Sequence, residues 1–491
     1  MKVSFLSIAA GLLLSPVVPV SSILGDRSRF LKSSPSIPSA SSPVIANAFD
    51  PPTLGSAATA VTFPNWDGPV QHSGFLRFTG VRPSSSPEIN TFFWLLPSLN
   101  NDPAAPVMIW LQGGPGSSSL YGMFEELGPM GIDANMNVFP RDPLNNWNQE
   151  YSLLFLDNPV GVGFSFAESD DAYVSNEQQV GTDLRSCLLE FYKVFPDLRS
   201  NALYVTGESY AGKYVPALSY AIYKANKKGG LKIGDDDFIN LKGLSIGDGA
   251  MSPPDQFDDF GNLLYYVGMI SKQEKQVFDQ YETNIQARLQ VGDTIGAFEY
   301  FDEMLNGDFT NGVTYYHNVT SANYFNFEQG ECGNCSPSYY DSWLVTPAVR
   351  DLIHVGGCAY NGFNQTVEEH LKADWMVGVL DMLVPLMQDP DVHVLIYSGA
   401  NDVILGPPLT ENFLEALQWD GSDAYAKAHK NIWTIDGEVM ANDPVAGYVK
   451  HVEEFKVTYA VVRGAGHMVP TDQPERAYDL IKRFVNDDFK F

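Results

Sequence analysis

Short apolar segments alternate with amphipathic segments along most of this chain. Six such apolar segments, each bounded by Gly, Pro or Asn, cover residues 91–96, 107–111, 153–156, 203–206, 241–246 and 392–397. Segments of helical periodicity cover residues 180–195, 210–226 and 473–485. Strands that are apolar throughout are typical of parallel sheets that helices cover on both faces. The pattern therefore predicts an α/β fold with a mostly parallel, doubly covered central sheet.

The rhythm changes between residues 250 and 373. Tyr, Phe, Asn, Asp and Gly become frequent there, and the helical stretches at residues 272–288 and 296–305 are short. Because this segment separates two strands of one sheet, it predicts an inserted, mainly helical cap over the carboxyl edge of the sheet. We expect the core to comprise residues 61–249 and 374–491.

The amino terminus has the layout of a secretory signal peptide. Lys2 precedes an apolar stretch at residues 3–14, and prolines and small residues follow it. We expect a signal peptide at residues 1–22 and a flexible leader or propeptide, rich in Ser, Pro and Ala, at residues 23–60. A membrane anchor needs about 20 uninterrupted apolar residues, so we expect no membrane attachment once the signal is removed.

The net charge of −29 argues against a nucleic-acid partner, since a polyanion would be repelled. An acidic surface suits an acidic compartment, so we expect a lysosomal, vacuolar or secreted protein. Asn-x-Thr triplets at Asn318 and Asn364 predict glycosylation. The sequence contains no His-Glu-x-x-His pattern, and we expect neither a metal nor another cofactor.

The chain has four cysteines, which allow three pairings. Cys187 lies in a helical segment and is predicted to be a small buried apolar residue. We expect Cys358 to form a disulfide with either Cys332 or Cys335, clipping a loop-rich part of the insertion.

Gly207-Glu208-Ser209-Tyr210-Ala211-Gly212 directly follows the apolar run at residues 202–205. A buried strand that breaks into a Gly-x-Ser-x-Gly pattern is typical of the nucleophile elbow of an α/β-hydrolase. Small flanking residues let a strained serine project its hydroxyl above the edge of the sheet. We therefore expect Ser209 to attack a carbonyl carbon.

An acid and a base follow the serine in the order that this fold requires. Asp402 lies in a turn just after the apolar segment at residues 392–397. The histidines beyond it are His429, His451 and His467. His429 is placed on an exposed helix and His451 in a strand, whereas His467 follows the apolar run at residues 457–462 in a Gly-rich loop. We expect Ser209, Asp402 and His467 to form a triad.

An oxyanion hole needs two backbone N–H donors, one of them from the residue after the nucleophile. Tyr210 supplies that donor. The loop at residues 110–116 follows another predicted strand, and its glycines allow close approach of the backbone to a substrate oxygen.

Four motifs in this order are similar to those of the serine carboxypeptidases. They are WLQGGPGSSS at residues 110–119, DNPVGVGFS at 157–165, GESYAGKYVP at 207–216 and GHMVP at 466–470. The resemblance extends from about Trp66 to Phe484. Gln112, where most of the family has Asn, and Lys213 after the elbow most resemble the vitellogenic-carboxypeptidase-like branch.

The resemblance implies an α/β-hydrolase with a helical cap that releases C-terminal amino acids from peptides and proteins at acidic pH. It assigns the triad to Ser209, Asp402 and His467, the oxyanion hole to Gly114 and Tyr210, binding of the substrate carboxylate to Trp110, Gln112, Gly113, Glu126 and Glu208, and the substrate pocket to Tyr121, Glu125 and Met468. It also implies a homodimer.

Two other functions stay open at this point. Relatives in plants transfer acyl groups, so an esterase or acyltransferase on the same scaffold is one alternative. A non-catalytic protein that protects another lysosomal enzyme is the second. Glu126, Glu208 and Gln112 favour a carboxypeptidase, because such a carboxylate clamp is useful only for a substrate with a free carboxyl terminus.

Overall fold

The computed structural model describes residues 60–63, 66, 68–141, 145–310, 313–330, 338–435 and 445–489. The predicted signal peptide and nearly all of the predicted leader lie outside the described residues, as do Cys332 and Cys335.

Most strands of the described residues join one large sheet. The strands are β1 (Ala60–Val61), β2 (Gln71–Thr79), β3 (Glu88–Leu96), β4 (Val107–Leu111), β5 (Met130–Ile132), β6 (Val138–Pro140), β7 (Ser152–Leu156), β8 (Phe166–Ala167), β9 (Leu203–Glu208), β10 (Leu241–Gly247), β11 (His393–Gly399), β12 (Asn431–Thr434), β13 (Val445–Val452) and β14 (Val457–Val462). Their order in the sheet is β1-β2-β3-β7-β4-β9-β10-β11-β14-β13-β12, with β8 beside β3, while β5 and β6 form a separate hairpin.

The centre of the sheet is parallel from β7 to β14, and the strands on both flanks are antiparallel. The central strands end in step, because Leu111 pairs with Gly207, Glu208 with Gly247, and Gly247 with Tyr397. The loops that follow β4, β9, β10, β11 and β14 therefore leave the sheet along one edge. This shared edge brings together residues that are far apart in the sequence.

The helices of the described residues lie on the sheet and between β10 and β11. They are α1 (Glu177–Val194), α2 (Ala211–Gly229), α3 (Pro253–Gln256), α4 (Phe260–Tyr266), α5 (Lys272–Gln290), α6 (Thr294–Phe301), α7 (Tyr315–Thr320), α8 (Tyr340–Leu344), α9 (Pro347–Leu352), α10 (Gln365–Trp375), α11 (Leu380–Met387), α12 (Pro407–Ala416), α13 (Ser422–Lys427), α14 (Val469–Asp472) and α15 (Pro474–Asn486). Short 3₁₀ segments occur at Trp147–Gln149, Asp170–Ala172 and Pro196–Leu198, and π-helical turns at Gly122–Glu126 and Asp302–Asn306.

Helices cover both faces of the parallel strands. On one face, α2 packs on β9 and β10, with α1 beside it. On the other, α15 buries Ala477, Leu480, Ile481 and Phe484, which the helical period places on one side, and the Phe484 ring lies 5.4 Å from that of Tyr204. The predicted mostly parallel, doubly covered sheet is confirmed.

Helices α3 to α11 separate β10 from β11 in the sequence. The cap boundary predicted at residue 373 falls inside α10, so the division into core and cap stays a prediction. Two segments of this insertion bind the carboxyl edge of the sheet. The Asn364 N–H donates to the carbonyl of Gly116 at 2.9 Å, and the Phe327 N–H donates to the carbonyl of Asn401 at 3.0 Å.

The disulfide predicted for Cys358 is wrong, because Cys358 is a free thiol. Its side chain is buried in the main hydrophobic core, where Sγ donates to the carbonyl of Phe164 at 3.2 Å. Cys358 thus packs against the Asp157–Ser165 loop instead of forming the expected disulfide. Cys187 is also free and buried, as predicted.

No described helix combines the length and the apolar character needed to cross a bilayer.

Candidate active site

Ser209 lies in a strained turn between strand β9 and helix α2. Its φ of +63° falls in the left-handed region, which non-glycine residues rarely adopt. A Cβ at Gly207 would lie 2.5 Å from the carbonyl oxygen of Leu111, and one at Gly212 would lie 2.6 Å from the nitrogen of Ala250. The residue two places after Ser209 is Ala211, so the second required glycine comes one position later than in the strict Gly-x-Ser-x-Gly pattern.

Asp402 and His467 are in direct contact at the same edge of the sheet. Nδ1 of His467 donates to Oδ2 of Asp402 at 2.9 Å, and Oδ1 of Asp402 accepts the Ile404 N–H at 3.0 Å. Both side chains are buried. This hydrogen bond orients the ring so that Nε2 is the nitrogen left to accept a proton.

Within the described residues, Nε2 of His467 has no hydrogen-bond partner, so it is not bonded to the hydroxyl of Ser209. Catalytic hydrogen bonds often tighten only when substrate binds. A segment of the insertion also contacts His467. The His467 N–H donates to the carbonyl of Phe325 at 2.6 Å, and the two rings stack with centroids 4.9 Å apart.

The other two late histidines lie elsewhere. His451 is in β13, and its Nδ1 lies 2.8 Å from the hydroxyl oxygen of Thr458 on β14. His429 is exposed, as predicted, but it follows α13 instead of lying on a helix.

The loop after β4 packs directly against the elbow. A Cβ at Gly113 would lie 2.6 Å from the nitrogen of Tyr210 and 2.7 Å from Cβ of Ser209, so only glycine fits. Gly114 has a φ of +106°. The loop is braced by Ser118, which donates to Oδ1 of Asp157 at 2.6 Å. Helix α2 begins at Ala211 and directs its amino-terminal dipole at the same place, which favours negative charge there.

A buried chain of polar side chains starts next to Ser209. Nε1 of Trp110 donates to Oε1 of Gln112 at 2.8 Å, and Nε2 of Gln112 donates to Oε1 of Glu208 at 2.7 Å. Glu126, in the π-helical turn at Gly122–Glu126, lies next to Glu208 and Gln112. These three residues are the predicted carboxylate clamp. A Cβ at Gly122 would lie 2.1 Å from Nε1 of Trp110, so glycine lets the turn approach the tryptophan.

The two carboxyls of the clamp favour their protonated forms. Burial raises the pKa of Glu126 to about 7, although polar contacts with Glu208 and Gln112 oppose the rise. Burial first, and then the charge of Glu126, raise the pKa of Glu208 well above its usual range. Both oxygens of Glu126 and Oε2 of Glu208 lack a hydrogen-bond donor in the described part of the chain. A proton shared by the pair would supply one.

The side chains predicted for the substrate pocket lie around the same turn. Tyr121 is partly buried, and burial raises its pKa. Oε1 of Glu125 accepts the Ser338 hydroxyl at 2.8 Å, and the carbonyl of Glu125 accepts the Thr471 hydroxyl at 3.1 Å. Met468 is partly exposed beside His467, at the start of α14, which contacts the turn.

Several polar residues near the site were missed in the sequence. Arg141 is partly exposed, its charge faces Glu125 and Glu126, and burial lowers its pKa. Asp157 and Asp248 are buried acids. Each comes within two residues of the end of a predicted buried strand. A position soon after such a strand is also the signal that identified Asp402. Arg141 has no such signal.

The two predicted glycosylation sites differ in accessibility. Asn318 is exposed on α7. Asn364 caps α10 by accepting the Thr366 N–H, and its Nδ2, the atom to which a glycan is attached, donates to the carbonyl of Gly161 at 2.8 Å. The geometry favours Asn318 as the acceptor.

Comparison with known proteins agrees with this site. Residues 64–487 match the family model described as serine carboxypeptidase. The chain is 41% identical to venom serine carboxypeptidase of Apis mellifera, over 81% of each chain. It is 39% identical to probable serine carboxypeptidase CPVL of Homo sapiens, over 81% of this chain and 80% of the relative. It is 36% identical to vitellogenic carboxypeptidase of Aedes aegypti, over 87% of this chain and 86% of the relative.

The fold also matches a solved structure. The prohormone-processing carboxypeptidase Kex1ΔP of Saccharomyces cerevisiae superposes with a TM-score of 0.74 at 23% identity, covering 89% of this chain and 97% of that one. The predicted α/β-hydrolase fold is thereby confirmed. Sequence match, relatives and architecture agree, and the chain is an enzyme that belongs to the serine carboxypeptidase family.

Proposed function

We propose that this serine carboxypeptidase releases the C-terminal residue of peptides and proteins at acidic pH, with Ser209, His467 and Asp402 as its triad. One observation carries the proposal. Glu208, the immediate neighbour of Ser209, forms part of a buried clamp with Gln112 and Glu126 that can supply hydrogen-bond donors. A donor-rich pocket beside a nucleophile suits a substrate whose free carboxylate lies next to the bond to be cleaved.

The reaction is acyl transfer in two steps. His467 Nε2 takes the proton of Ser209 as Oγ bonds to the substrate carbonyl carbon, and the oxyanion forms between the N–H groups of Gly114 and Tyr210. The C–N bond then breaks, and His467 gives the proton to the departing amine. Water, deprotonated by the same nitrogen, attacks the acyl-enzyme, and Ser209 recovers its proton.

The clamp gives the reaction its acidic preference. A protonated carboxyl of the Glu126–Glu208 pair and the Gln112 amide can donate to the substrate carboxylate. Once the pair ionises completely, it repels that carboxylate. In this proposal, Tyr121, Glu125 and Met468 contact the departing residue.

The test uses dipeptides with a blocked amino terminus. We expect the purified protein to release the C-terminal amino acid at pH 5 and to act poorly on the matching C-terminal amides, which offer no carboxylate. Ser209→Ala should abolish release. Ser186→Ala, on the outer part of α1, is the control and should stay active. Equal rates on acids and amides would favour an esterase or acyltransferase, and the absence of Ser209-dependent turnover would favour a non-catalytic protein.

The cellular setting is a further part of the proposal. The predicted signal peptide and the exposed Asn318 support passage through the secretory pathway to a lysosome, a vacuole or the cell exterior, and the Apis mellifera relative is named as a venom protein. The homodimer implied by the family resemblance stays a prediction.

A further inference from the structure

Asp248 lies at the end of strand β10, directly beside the nucleophile elbow. Its φ of +43° is in the left-handed region, which Asp tolerates better than most residues. Residues before and after Asp248 in the sequence form backbone hydrogen bonds with Ser209. The Ser209 N–H donates to the carbonyl of Gly247 at 3.0 Å, and the Ala250 N–H donates to the carbonyl of Ser209 at 3.1 Å. The backbone of Asp248 is thus held in register with the nucleophile.

The Asp248 side chain reaches across β11 toward the triad acid. Its Oδ1 accepts the Gly399 N–H at 2.7 Å. Its Oδ2 is buried and has no hydrogen-bond partner among the residues that the structure describes. One carboxylate oxygen from each of Asp248 and Asp402 and a ring nitrogen of His467 all lie within 4.8 Å of one another. The triad acid therefore has a second carboxyl as its neighbour.

Two buried carboxylates at this distance cannot both stay ionised. Asp402 accepts hydrogen bonds from Ile404 and from His467, which stabilise its charge. Oδ2 of Asp248 accepts no hydrogen bond in the described part of the chain, so Asp248 is the acid of the pair that stays protonated. Burial first, and then the charge of Asp402, raise the pKa of Asp248 well above its usual range. Glu208 on β9 adds to this rise, while the hydroxyls of Tyr397 on β11 and Tyr459 on β14 also face Asp248.

We propose that Asp248 is a positioning residue of the catalytic site, whose protonated Oδ2 donates a hydrogen bond to Asp402. The resulting order is Asp248 to Asp402 to His467. This bond holds the Asp402 carboxylate in the orientation that accepts Nδ1 of His467. When Asp248 loses its proton, the donor disappears and the two carboxylates repel, so Asp402 no longer holds the imidazole well. The inference rests on the proposed triad but not on the proposed carboxylate clamp.

The test measures the reaction of Ser209 with a phosphonofluoridate from pH 5 to 9, followed by intact-protein mass. The Oγ–P bond forms as fluoride leaves and His467 takes the serine proton. This reagent has no carboxylate, so its rate reports the triad without the clamp. Asp248→Ala should slow labelling about 10- to 100-fold, the range expected from losing a hydrogen bond to a charged group.

Asp248→Asn separates positioning from a merely structural role. Its Oδ1 can accept the Gly399 N–H and its Nδ2 can donate to Asp402, so at pH 5 it should restore most of the rate lost in Asp248→Ala. The amide cannot ionise. We therefore expect the labelling rate of Asp248→Asn, divided by that of the parent at the same pH, to rise toward alkaline pH, because only the parent loses the proton at position 248. Asp302→Asn, a buried acid of the insertion, is the control and should follow the parent profile.

The outcomes are distinguishable. If the rate of Asp248→Asn divided by that of the parent does not rise toward alkaline pH, or if folded Asp248→Ala reacts as fast as the parent, the inference is overturned. If Asp248→Ala does not fold, judged by its thermal transition, the Asp248→Asn profile decides alone. A parent enzyme that is labelled but cleaves no peptide overturns the proposed substrate only. A parent that is not labelled at Ser209 overturns the triad and this inference together.

Discussion

At the scale of single residues, the proposed active site contains buried acids whose pKa values are raised above their ordinary range in water. Glu126 and Glu208 face each other in the clamp, and Asp248 and Asp402 face each other behind the histidine. In each pair, burial penalises the second negative charge. We propose that the first pair binds the substrate carboxylate and that the second pair holds the imidazole in place. The two effects therefore predict different kinetic signatures.

For the clamp, we expect the catalytic efficiency on blocked dipeptides to fall as the pH rises from 5 to 8, chiefly through KM. Burial raises the pKa of Glu126 to about 7, so the pair gains negative charge as the pH approaches neutrality and repels the substrate carboxylate. One added repulsion of about 1.4 kcal/mol corresponds to about a tenfold rise in KM. Glu208→Gln removes one of the two charges and should reduce that rise.

The control for this experiment is Glu150→Gln. Glu150 is partly exposed and pairs with Lys482 at the surface, so this variant should keep the pH dependence of the parent. A KM profile that is the same in Glu208→Gln and the parent would show that the clamp does not determine the pH dependence.

At the scale of elements, the elbow helix is tied to the insertion by a buried cation. Lys213 in the first turn of α2 is fully buried, and its Nζ lies 2.9 Å from Oδ2 of Asp374 on α10. The ammonium also donates to the backbone carbonyls of Asp374 and Trp375 and lies 5.1 Å from the centre of the Tyr210 ring. Glu177 on α1 is buried nearby. The helix that positions Ser209 is therefore joined electrostatically to α10.

Lys213→Met keeps most of the side-chain volume but removes the charge, leaving Asp374 without its partner. We expect the free energy of unfolding in urea to fall by about 3–5 kcal/mol, the usual cost of breaking a buried ion pair from one side. Lys193→Met is the matched control, because Lys193 pairs with Glu190 on the surface of α1. Its cost should stay below about 1 kcal/mol. If both variants lost the same free energy of unfolding, the buried pair would stabilise the fold no more than the surface pair does.

At the scale of the whole molecule, many buried carboxyls favour an acidic environment. Burial is the main cause that raises their pKa values, to about 7 for Glu126, Asp157 and Glu282, about 8 for Glu177 and about 9 for Glu368. The folded protein thus binds protons that the unfolded chain releases above its ordinary carboxyl pKa of about 4.3. Stability from these groups is complete below that pH and is lost as the pH rises through the folded values.

We therefore expect the thermal unfolding temperature to be lower at pH 8 than at pH 5. Between the pKa of a carboxyl in the unfolded chain and its pKa in the folded protein, the free energy of unfolding falls by about 1.4 kcal/mol for each unit by which the pH rises. His354, His393 and His451 act in the opposite direction below about pH 6.5, because burial lowers their pKa values. Their smaller number leaves the carboxyls dominant.

Glu282→Gln makes this expectation specific. Glu282 lies on α5, away from the catalytic side chains, and accepts the Gly261 N–H at 2.8 Å. The neutral amide of the variant cannot ionise, so its thermal unfolding temperature should fall less between pH 5 and pH 8 than that of the parent. A parent protein equally stable at both pH values would contradict the expectation.

The fold and much of the candidate site could be predicted from local pattern. Continuous apolar runs indicate buried parallel strands, and such strands release their loops along one edge of the sheet. Residues that follow those strands, such as Ser209 and Asp402, therefore become neighbours in space. The site predicted from the motifs gathers at that edge, where Asp402 and His467 are bonded directly. The bond between His467 and Ser209 stays a prediction.

Tertiary structure alone decided the contacts that no local pattern records. Cys358 packs in the core as a free thiol, Phe325 stacks on the histidine from the insertion, and Arg141 faces the clamp. Asp248 follows a predicted strand, as Asp402 does, yet the role proposed for it depends on the positions of both carboxyls. A repeating pattern specifies each element because neighbouring residues share one backbone geometry. Charge pairing and burial depend on which distant segments pack together, and that is settled only when the whole chain folds.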